Sequence, residues 1–248
     1  MSKTILITGA SRGIGAATAR LAGARGWAVG VNYAGNAEAA AATVKAVEAA
    51  GGKAIAIKGD VAEEADVIAM FDATEAAFGK LDGVVVNAGI LDVAAQLADM
   101  PVERLRKVFD VNILGAALTA REAARRLSTG RGGNGGSVVV VSSAAARLGG
   151  ADERIDYALS KGAMDTMAIG MSKELGPEGI RVNSIRPGLI VTDIHASGGQ
   201  PERANTLGGG TPLRRAGTAE EVGEAIVWLL DDASSYVTGA LLDVTGGR

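Results

Sequence analysis

The sequence predicts an α/β protein with a single domain over residues 1–248, built on a seven-stranded parallel sheet with helices on both faces. Short runs rich in β-branched residues alternate with longer alanine-rich stretches along the 248-residue chain, and this alternation is typical of βαβ units with right-handed crossovers. Several of the short runs are almost continuously apolar, as expected for strands that are covered on both faces. No linker divides the chain, and α/β chains of this length commonly form one domain.

The predicted elements follow one another in this alternating order. The strands are expected at Thr4–Thr8, Ala28–Asn32, Lys53–Lys58, Gly83–Asn87, Ser137–Val141, Arg181–Arg186 and Leu241–Val244. The helices are expected at about Gly13–Arg25, Asn36–Ala50, Glu63–Phe78, Pro101–Leu127, Ile155–Gly176 and Thr218–Leu230. Residues 193–212 break the rhythm with several glycines and two prolines, and we interpret this long segment as a mobile lid over a substrate.

Composition excludes several classes of function. The chain has no cysteine, which rules out disulfides, thiolate metal sites and a cysteine nucleophile. A net charge of −3 gives no basic excess that would indicate nucleic acid or an anionic membrane as a partner. The only histidine, His195, cannot build a multi-histidine metal site, so no metal is expected. The Met1–Thr4 start lacks the features of a signal peptide, no apolar run is long enough to span a bilayer, and we expect a cytoplasmic protein.

A glycine-rich turn follows the first predicted strand and opens the first predicted helix. Such a turn allows backbone N–H groups and a helix N-terminus to approach a pyrophosphate, and its strand–turn–helix context favours nucleotide binding over a purely structural turn. The residues expected to cradle the phosphates are Gly9, Ser11, Arg12, Gly13, Ile14 and Gly15.

Tyr157 and Lys161 are four residues apart in a predicted helix and therefore share one face. An unperturbed tyrosine has a pKa of about 10, too high for a ready base at neutral pH. A nearby ammonium favours the phenolate and lowers that value, so the pair could supply a tuned acid/base for a hydroxyl or carbonyl oxygen. Standing alone, the same pair would be interpreted as an ordinary exposed helix pair.

The ordered set of motifs resembles the short-chain dehydrogenase/reductase family along nearly the whole chain. The glycine turn has the form T-G-x-x-x-G-x-G, and Tyr157-Ala158-Leu159-Ser160-Lys161 matches the family's Y-x-x-x-K. Between and beyond them stand Asn87-Ala88-Gly89, Asn112, Ser143, Pro187-Gly188 and Thr192. The resemblance implies a single-domain Rossmann fold, and it includes members described as sugar (glucose) dehydrogenases or 3-oxoacyl-carrier-protein reductases.

The resemblance also implies the catalytic roles. Tyr157 would exchange a proton with the substrate oxygen while the nicotinamide carries the hydride. Ser143 would hydrogen-bond that oxygen, whereas the adjacent Ser142 fits a turn or cap residue better. Lys161 would tune Tyr157, and Asn112 would hold a water that relays protons to Lys161. Asn112 could also be a satisfied structural amide, an interpretation that does not exclude this role.

The end of the second predicted strand bears on the choice of cofactor. It reads Val31-Asn32-Tyr33, without the carboxylate that usually binds the ribose hydroxyls of NAD. Arg12 could pair with a 2′-phosphate, so we expect NADP(H) to be preferred, with NAD(H) use left open. The resemblance extends the cofactor contacts to Asn32, Tyr33, Asp60, Val61, Asn87, Ala88, Gly89, Tyr157, Lys161, Pro187, Gly188, Ile190 and Thr192.

Small residues in the helix after Tyr157 suggest an assembly. Gly162, Ala163, Ala168 and Gly170 would let another helix come close, although they could equally pack inside the subunit. The family resemblance favours a homotetramer, with a dimer as the second choice.

The sequence thus predicts an NADP(H)-dependent oxidoreductase that interconverts a carbonyl and an alcohol on a small-molecule substrate. A non-catalytic dinucleotide-binding sensor or scaffold is the competing hypothesis, but such a protein would be free to lose Tyr157, Lys161 or Ser143. An epimerase of the extended family also uses Y-x-x-x-K but generally has a longer chain.

Overall fold

The computed structural model describes residues 2–248; Met1 lies outside the described residues. Seven parallel strands form one sheet in the order β3-β2-β1-β4-β5-β6-β7. Their bounds are β1 Thr4–Ile7, β2 Ala28–Tyr33, β3 Lys53–Lys58, β4 Gly83–Val86, β5 Gly136–Val141, β6 Ile180–Pro187 and β7 Leu241–Val244. The predicted α/β class, sheet and strand positions are confirmed.

Helices connect the strands and cover both faces of the sheet. Their bounds are α1 Gly13–Ala24, α2 Ala37–Ala49, α3 Glu64–Phe78, α4 Val102–Phe109, α5 Ala116–Leu127, α6 Ala145–Leu148, α7 Ile155–Leu175, α8 Ile194–Ser197, α9 Arg203–Gly208 and α10 Ala219–Leu230. Two apolar cores result, one on each face. One packs β1 and β2 against α1, α2 and α10, and the other packs β4 and β5 against α3, α5 and α7.

The strand order reverses direction between β1 and β4, which are hydrogen-bonded neighbours with Leu6 beside Val84. In an open α/β sheet, the carboxyl ends of the strands on either side of such a reversal leave a crevice where ligands bind. The glycine turn follows β1 and Asn87 follows β4. The topology therefore brings two of the predicted motifs to the same crevice.

One predicted helix is interrupted. Residues 101–127 were expected to form a single helix, but a π-helical stretch at Asp110–Gly115 separates α4 from α5. Gly115 packs against Val61 so closely that a Cβ there would lie 2.7 Å from the valine Cγ2. π-helical turns are rare and often occur at functional sites, and this one carries Asn112.

The 193–212 segment, predicted as a loop, contains two short helices, α8 and α9. It lies against the start of α7, where Arg203 pairs with Glu153 at 2.6 Å and Arg154 donates to the Gly198 carbonyl oxygen at 3.2 Å. Across residues 2–248, no helix combines the length and apolar character that crossing a membrane requires.

Candidate active site

A cleft of about 1020 Å³ opens at the carboxyl ends of the strands. Cofactor and substrate sites in proteins are typically of this size and are commonly found at this position in α/β folds. All of the predicted site residues line it except Gly15 and Asn112, which lie just behind its wall. The structure therefore gathers motifs that are up to about 180 residues apart in the chain.

The glycine turn is shaped by its backbone. Gly9 and Gly13 have φ values of +63° and +57°, in the left-handed region that favours glycine. A Cβ on Gly9 would lie 2.9 Å from the Ala88 Cα, so the turn after β1 and the chain after β4 pass each other in close contact. The Gly9 N–H donates to the Asn32 Oδ1 at 3.0 Å, which fixes the turn to the end of β2.

Gly15 makes the closest approach in this region. A Cβ there would lie 2.7 Å from the Asn87 Nδ2 and 2.7 Å from the Gly9 carbonyl oxygen. Asn87 in turn donates from Nδ2 to the Thr8 carbonyl oxygen at 2.8 Å. Gly15 thus supports the turn from behind instead of facing the cleft.

The first turn of α1 suits an anion. Arg12 caps the helix without a side-chain hydrogen bond, and the first turn holds no acidic residue. N–H groups at a helix N-terminus lack helical partners and carry partial positive charge, a combination that binds phosphates. The open turn, the missing side-chain cap and the cleft volume all fit a dinucleotide pyrophosphate.

The last two residues of β2, Asn32 and Tyr33, differ in their burial. Asn32 is buried, and its Nδ2 donates to the Gly59 carbonyl oxygen at 2.9 Å. Its amide therefore joins the glycine turn to the chain after β3. Tyr33 is only partly buried and lines the cleft together with exposed Arg12 and Asp60.

The chain after β6 crosses the glycine turn. Thr192 Cγ2 lies 3.6 Å from the position of a Cβ on Gly13, and Ile190 pairs with Gly217 in an isolated bridge. Pro187 and Gly188 lead into this stretch from β6. The predicted 187–192 residues consequently form the part of the cleft wall that adjoins the glycine turn.

Tyr157 and Lys161 lie in the middle of the cleft on the same face of α7, as their spacing predicted. The Lys161 Nζ lies 5.6 Å from the centroid of the Tyr157 ring. It donates to the Val141 carbonyl oxygen at 2.8 Å, which holds the ammonium at the end of β5. Lys161 is 3 % exposed.

Burial shifts the pKa values of both Tyr157 and Lys161. It raises the pKa of the Tyr157 hydroxyl above its ordinary value, while the neighbouring Ser143 hydroxyl and the positive charge of Arg154 oppose part of this increase. Burial also lowers the pKa of Lys161 to about 8, partly offset by the Asp165 carboxylate. Perturbed groups of this kind in a cleft are characteristic of catalytic sites.

The two adjacent serines have different environments. Ser142 is buried and its Oγ donates to the Lys161 carbonyl oxygen at 2.9 Å. Ser143 faces the cleft, where its Oγ accepts from the Ala145 N–H at 3.1 Å and lies close enough to lower the pKa of Tyr157. This geometry favours Ser143, not Ser142, as the serine beside a reacting oxygen.

Asn112 is fully buried in the π-helical stretch. Its Oδ1 accepts from the Ile90 N–H at 2.8 Å, and its Nδ2 donates to the Ile90 carbonyl oxygen at 2.8 Å. Both the Asn112 Oδ1 and the Lys161 Nζ lie 3.4 Å from the position of a Cβ on Gly89. Asn112 is therefore a satisfied amide that also lies next to the Lys161 ammonium.

Several cleft residues were not among the predicted site residues, although His195 and Arg203 lie in the 193–212 segment that was interpreted as a lid. Arg154 is 6 % exposed, its Nη2 donates to the Gln200 Oε1 at 3.1 Å, and it lies near Tyr157. Arg203 and His195 extend this wall, and the His195 Nε2 lies 2.9 Å from the Ile190 carbonyl oxygen. Isolated arginines in polar stretches are usually solvated, so only the packing of the 193–212 segment onto α7 could reveal these.

A second missed feature lies directly behind Tyr157. Arg104 of α4 and Asp156 of α7 form a buried ion pair with an Nε–Oδ2 distance of 2.8 Å. Fifty-two residues separate them in the chain, and no local pattern links them.

Comparison with known proteins gives a consistent result. A family model described as enoyl-(acyl carrier protein) reductase matches residues 9–248. The chain is 46% identical to the uncharacterized oxidoreductase YgfF of Escherichia coli, with 98% of each chain covered. It is 40% identical to an L-rhamnose 1-dehydrogenase (NAD(P)(+)) of a Sphingomonas species, covering 99% of this chain and 95% of that one.

A solved structure agrees with the fold. The crystal structure of a short-chain type dehydrogenase/reductase from Mycobacterium marinum superposes with a TM-score of 0.91 at 34% sequence identity. The superposition covers 99% of this chain and 94% of that one.

Proposed function

Since the chain belongs to the short-chain dehydrogenase/reductase family and is an NAD(P)-dependent oxidoreductase of alcohols and carbonyls, we propose that it prefers NADP(H) and uses Tyr157 as its general acid/base. The observation that carries this proposal is the grouping of Tyr157, Lys161 and Ser143 in one cleft beside a glycine turn that fits a pyrophosphate.

The chain's own residues suit the proton transfer. In the direction of reduction, the Tyr157 hydroxyl donates a proton to the carbonyl oxygen, and the Ser143 hydroxyl hydrogen-bonds the same oxygen as negative charge develops. The buried Lys161 ammonium stabilises the resulting phenolate, and Asn112 would hold the water that returns a proton to Lys161. Oxidation uses these steps in reverse.

NADP(H), when bound, supplies or accepts the hydride. Gly9, Ser11, Gly13 and Ile14 would hold its pyrophosphate at the start of α1, with Gly15 supporting the turn. Asn32, Asp60 and Val61 would flank the adenosine half, and Asn87–Gly89 would pass along the cofactor. The nicotinamide half would lie against Pro187, Gly188, Ile190 and Thr192.

The preference for NADP(H) is supported by charge at the β2 end of the cleft. Arg12 is exposed and lines this end together with Tyr33, and no carboxylate follows Val31 directly. A guanidinium binds a phosphate through paired hydrogen bonds, whereas a carboxylate at the end of β2 would repel it.

We further propose that the 193–212 segment closes over the substrate. Its hydrogen bonds and ion pair to the start of α7 run through the side chains of Arg154 and Arg203, and such contacts can break and re-form when a segment opens and closes. A cytoplasmic location also stays a prediction from the sequence, which cell fractionation would test.

The proposed homotetramer is supported by the outer face of α7. A Cβ on Gly162 or Gly170 would meet nothing within 4 Å, and Leu159 and Ile169 are exposed beside them. Ala168, expected on the same face, is instead fully buried in the core. Light scattering of Gly170→Arg should show smaller particles than wild type, whereas Ala49→Arg on exposed α2 should leave the mass unchanged.

The activity test is a turnover screen with NADPH and NADH. Ketones, keto-esters, quinones and sugar lactones would be tried for reduction, and alcohols and sugars for oxidation. We expect faster turnover with the NADP form and a loss of about 10²- to 10⁴-fold in Tyr157→Phe with cofactor binding retained. Full activity of Tyr157→Phe would refute the proposed mechanism.

A further inference from the structure

The ion pair behind Tyr157 is more buried than most charged groups in proteins. Arg104 is 8 % exposed and Asp156 is 2 % exposed. The guanidinium donates from Nε to Oδ2 at 2.8 Å and from Nη2 to Oδ1 at 3.2 Å. This is a bidentate arrangement, in which two parallel hydrogen bonds fix direction as well as distance.

The pair also holds two pieces of backbone. The Asp156 Oδ1 accepts from the Tyr157 N–H at 2.8 Å, and the Arg104 Nη1 donates to the Val93 carbonyl oxygen at 2.6 Å. Three parts of the molecule therefore meet at one ion pair: α4, the chain that follows β4, and the first turn of α7.

Asp156 supplies the side-chain hydrogen-bond acceptor that the start of α7 otherwise lacks. The N-cap residue, Arg154, makes no side-chain hydrogen bond to the helix. The Tyr157 N–H is one of the first-turn donors without a helical acceptor, and a carboxylate at this end of a helix interacts favourably with the helix dipole. The residue whose N–H donates this hydrogen bond is the proposed acid/base itself.

A gain in stability would be a weak explanation for burying such an ion pair. Burying two charges costs desolvation energy, and well-packed apolar residues often stabilise a fold as well or better. Placement of the neighbouring reacting group is a stronger explanation, because a misplacement of such a group by about 1 Å can lower the rate by on the order of 10²-fold.

We propose that Arg104 and Asp156 are positioning residues, which fix the backbone of Tyr157 and thereby the place of its hydroxyl in the cleft. The inference rests on the proposed function of Tyr157 in proton transfer. Neither residue lines the cleft, so both act through Tyr157 without touching substrate or cofactor.

The test compares Arg104→Met, Asp156→Asn and the double variant. Arg104→Met should lower kcat by about 10- to 100-fold, with the KM for the cofactor changed by no more than about twofold, because the glycine turn is untouched. If the two residues act as one unit, the double variant should lose no more than the worse single variant. Arg104→Lys replaces Arg104→Met if the latter does not fold.

A matched control removes an arginine from another ion-pair network. Arg126→Met breaks pairs with Glu122, Asp72 and Glu75 but lies outside the cleft, so it should lower thermal stability and leave kcat unchanged. Equal losses of kcat in Arg104→Met and Arg126→Met would reduce the Arg104 effect to general destabilisation and overturn the inference.

A second readout needs no turnover. Hydrogen–deuterium exchange at the first turn of α7 should speed up in Arg104→Met and Asp156→Asn and stay at the wild-type rate in Arg126→Met. Unchanged kcat together with unchanged exchange would contradict the positioning role. If Tyr157→Phe instead keeps full turnover, the proposed function fails, and the exchange result then judges the positioning of Tyr157 by itself.

Discussion

The two ends of the cleft differ in whether backbone or side chains form their walls. At the glycine-turn end, the walls are mainly backbone, brought together by Gly9, Gly13 and Gly15. At the Tyr157 end, long charged side chains such as Arg154 and Arg203 connect α7 to the 193–212 segment. The first end is fixed by conformation and suits a constant ligand. The second depends on contacts between distant segments and is the part that can differ between relatives with different substrates.

Among the variants that test this comparison between the two ends, the largest effect is expected from adding a side chain at the backbone end. Gly15→Val adds a Cβ that would lie 2.7 Å from both the Asn87 Nδ2 and the Gly9 carbonyl oxygen, so the turn has to shift. Overpacking of this kind costs about 1–3 kcal/mol, and we expect NADPH binding to weaken by about 100-fold in a fluorescence titration. Gly176→Ala, where a Cβ meets nothing within 4 Å, is the control; tight NADPH binding by Gly15→Val would show that the turn is not the binding site.

A charge change at Arg12 tests the cofactor preference at the same end of the cleft. Arg12→Glu replaces the proposed phosphate partner with a repelling carboxylate, and the KM for NADPH should rise about tenfold or more while that for NADH stays near its wild-type value. Steady-state kinetics with both cofactors measure this. Arg131→Glu makes the same charge change at an exposed residue outside the cleft, and an equal effect there would remove the specific role of Arg12.

At the side-chain end, pH dependence is the sensitive measurement. The positive charge of Arg154 lowers the pKa of Tyr157 against the raising effect of burial, so Arg154→Met should raise that pKa. Alcohol oxidation needs the phenolate, and its rate should therefore begin to rise only at a higher pH than in wild type. A profile that stays in place or moves to lower pH would contradict this electrostatic account.

The smallest effect is expected from Arg203→Met. The variant loses the ion pair with Glu153 and a hydrogen bond to the Gln200 Oε1 at 2.7 Å, which loosens the 193–212 segment. Pairs of this exposure contribute up to about 1 kcal/mol, so the KM for substrate should rise about two- to fivefold. The pH profile should not move, because Arg203 is not among the groups that shift the pKa of Tyr157; a moved profile would refute the division of roles.

The same contrast explains what the sequence could predict. The glycine turn, the β2 end and the Tyr157–Lys161 spacing are local patterns, and their residues line the cleft as expected, apart from Gly15 behind its wall. The Arg104–Asp156 pair and the Arg154–Gly198 contact join residues that are 52 and 44 positions apart, and no periodicity encodes them. The π-helical stretch around Asn112 was also missed, and its last residue, Gly115, packs against Val61 from a distant part of the chain.

The most direct test of the central claim follows the hydride itself. Wild-type protein and Tyr157→Phe would be incubated with NADPH deuterated at the transferable position of the nicotinamide and with the best carbonyl substrate of the screen. Mass spectrometry should find one deuterium on the carbinol carbon of the product with wild type and almost none with Tyr157→Phe. Binding of NADPH without transfer of the label to any substrate would contradict the account and favour a dinucleotide-binding sensor.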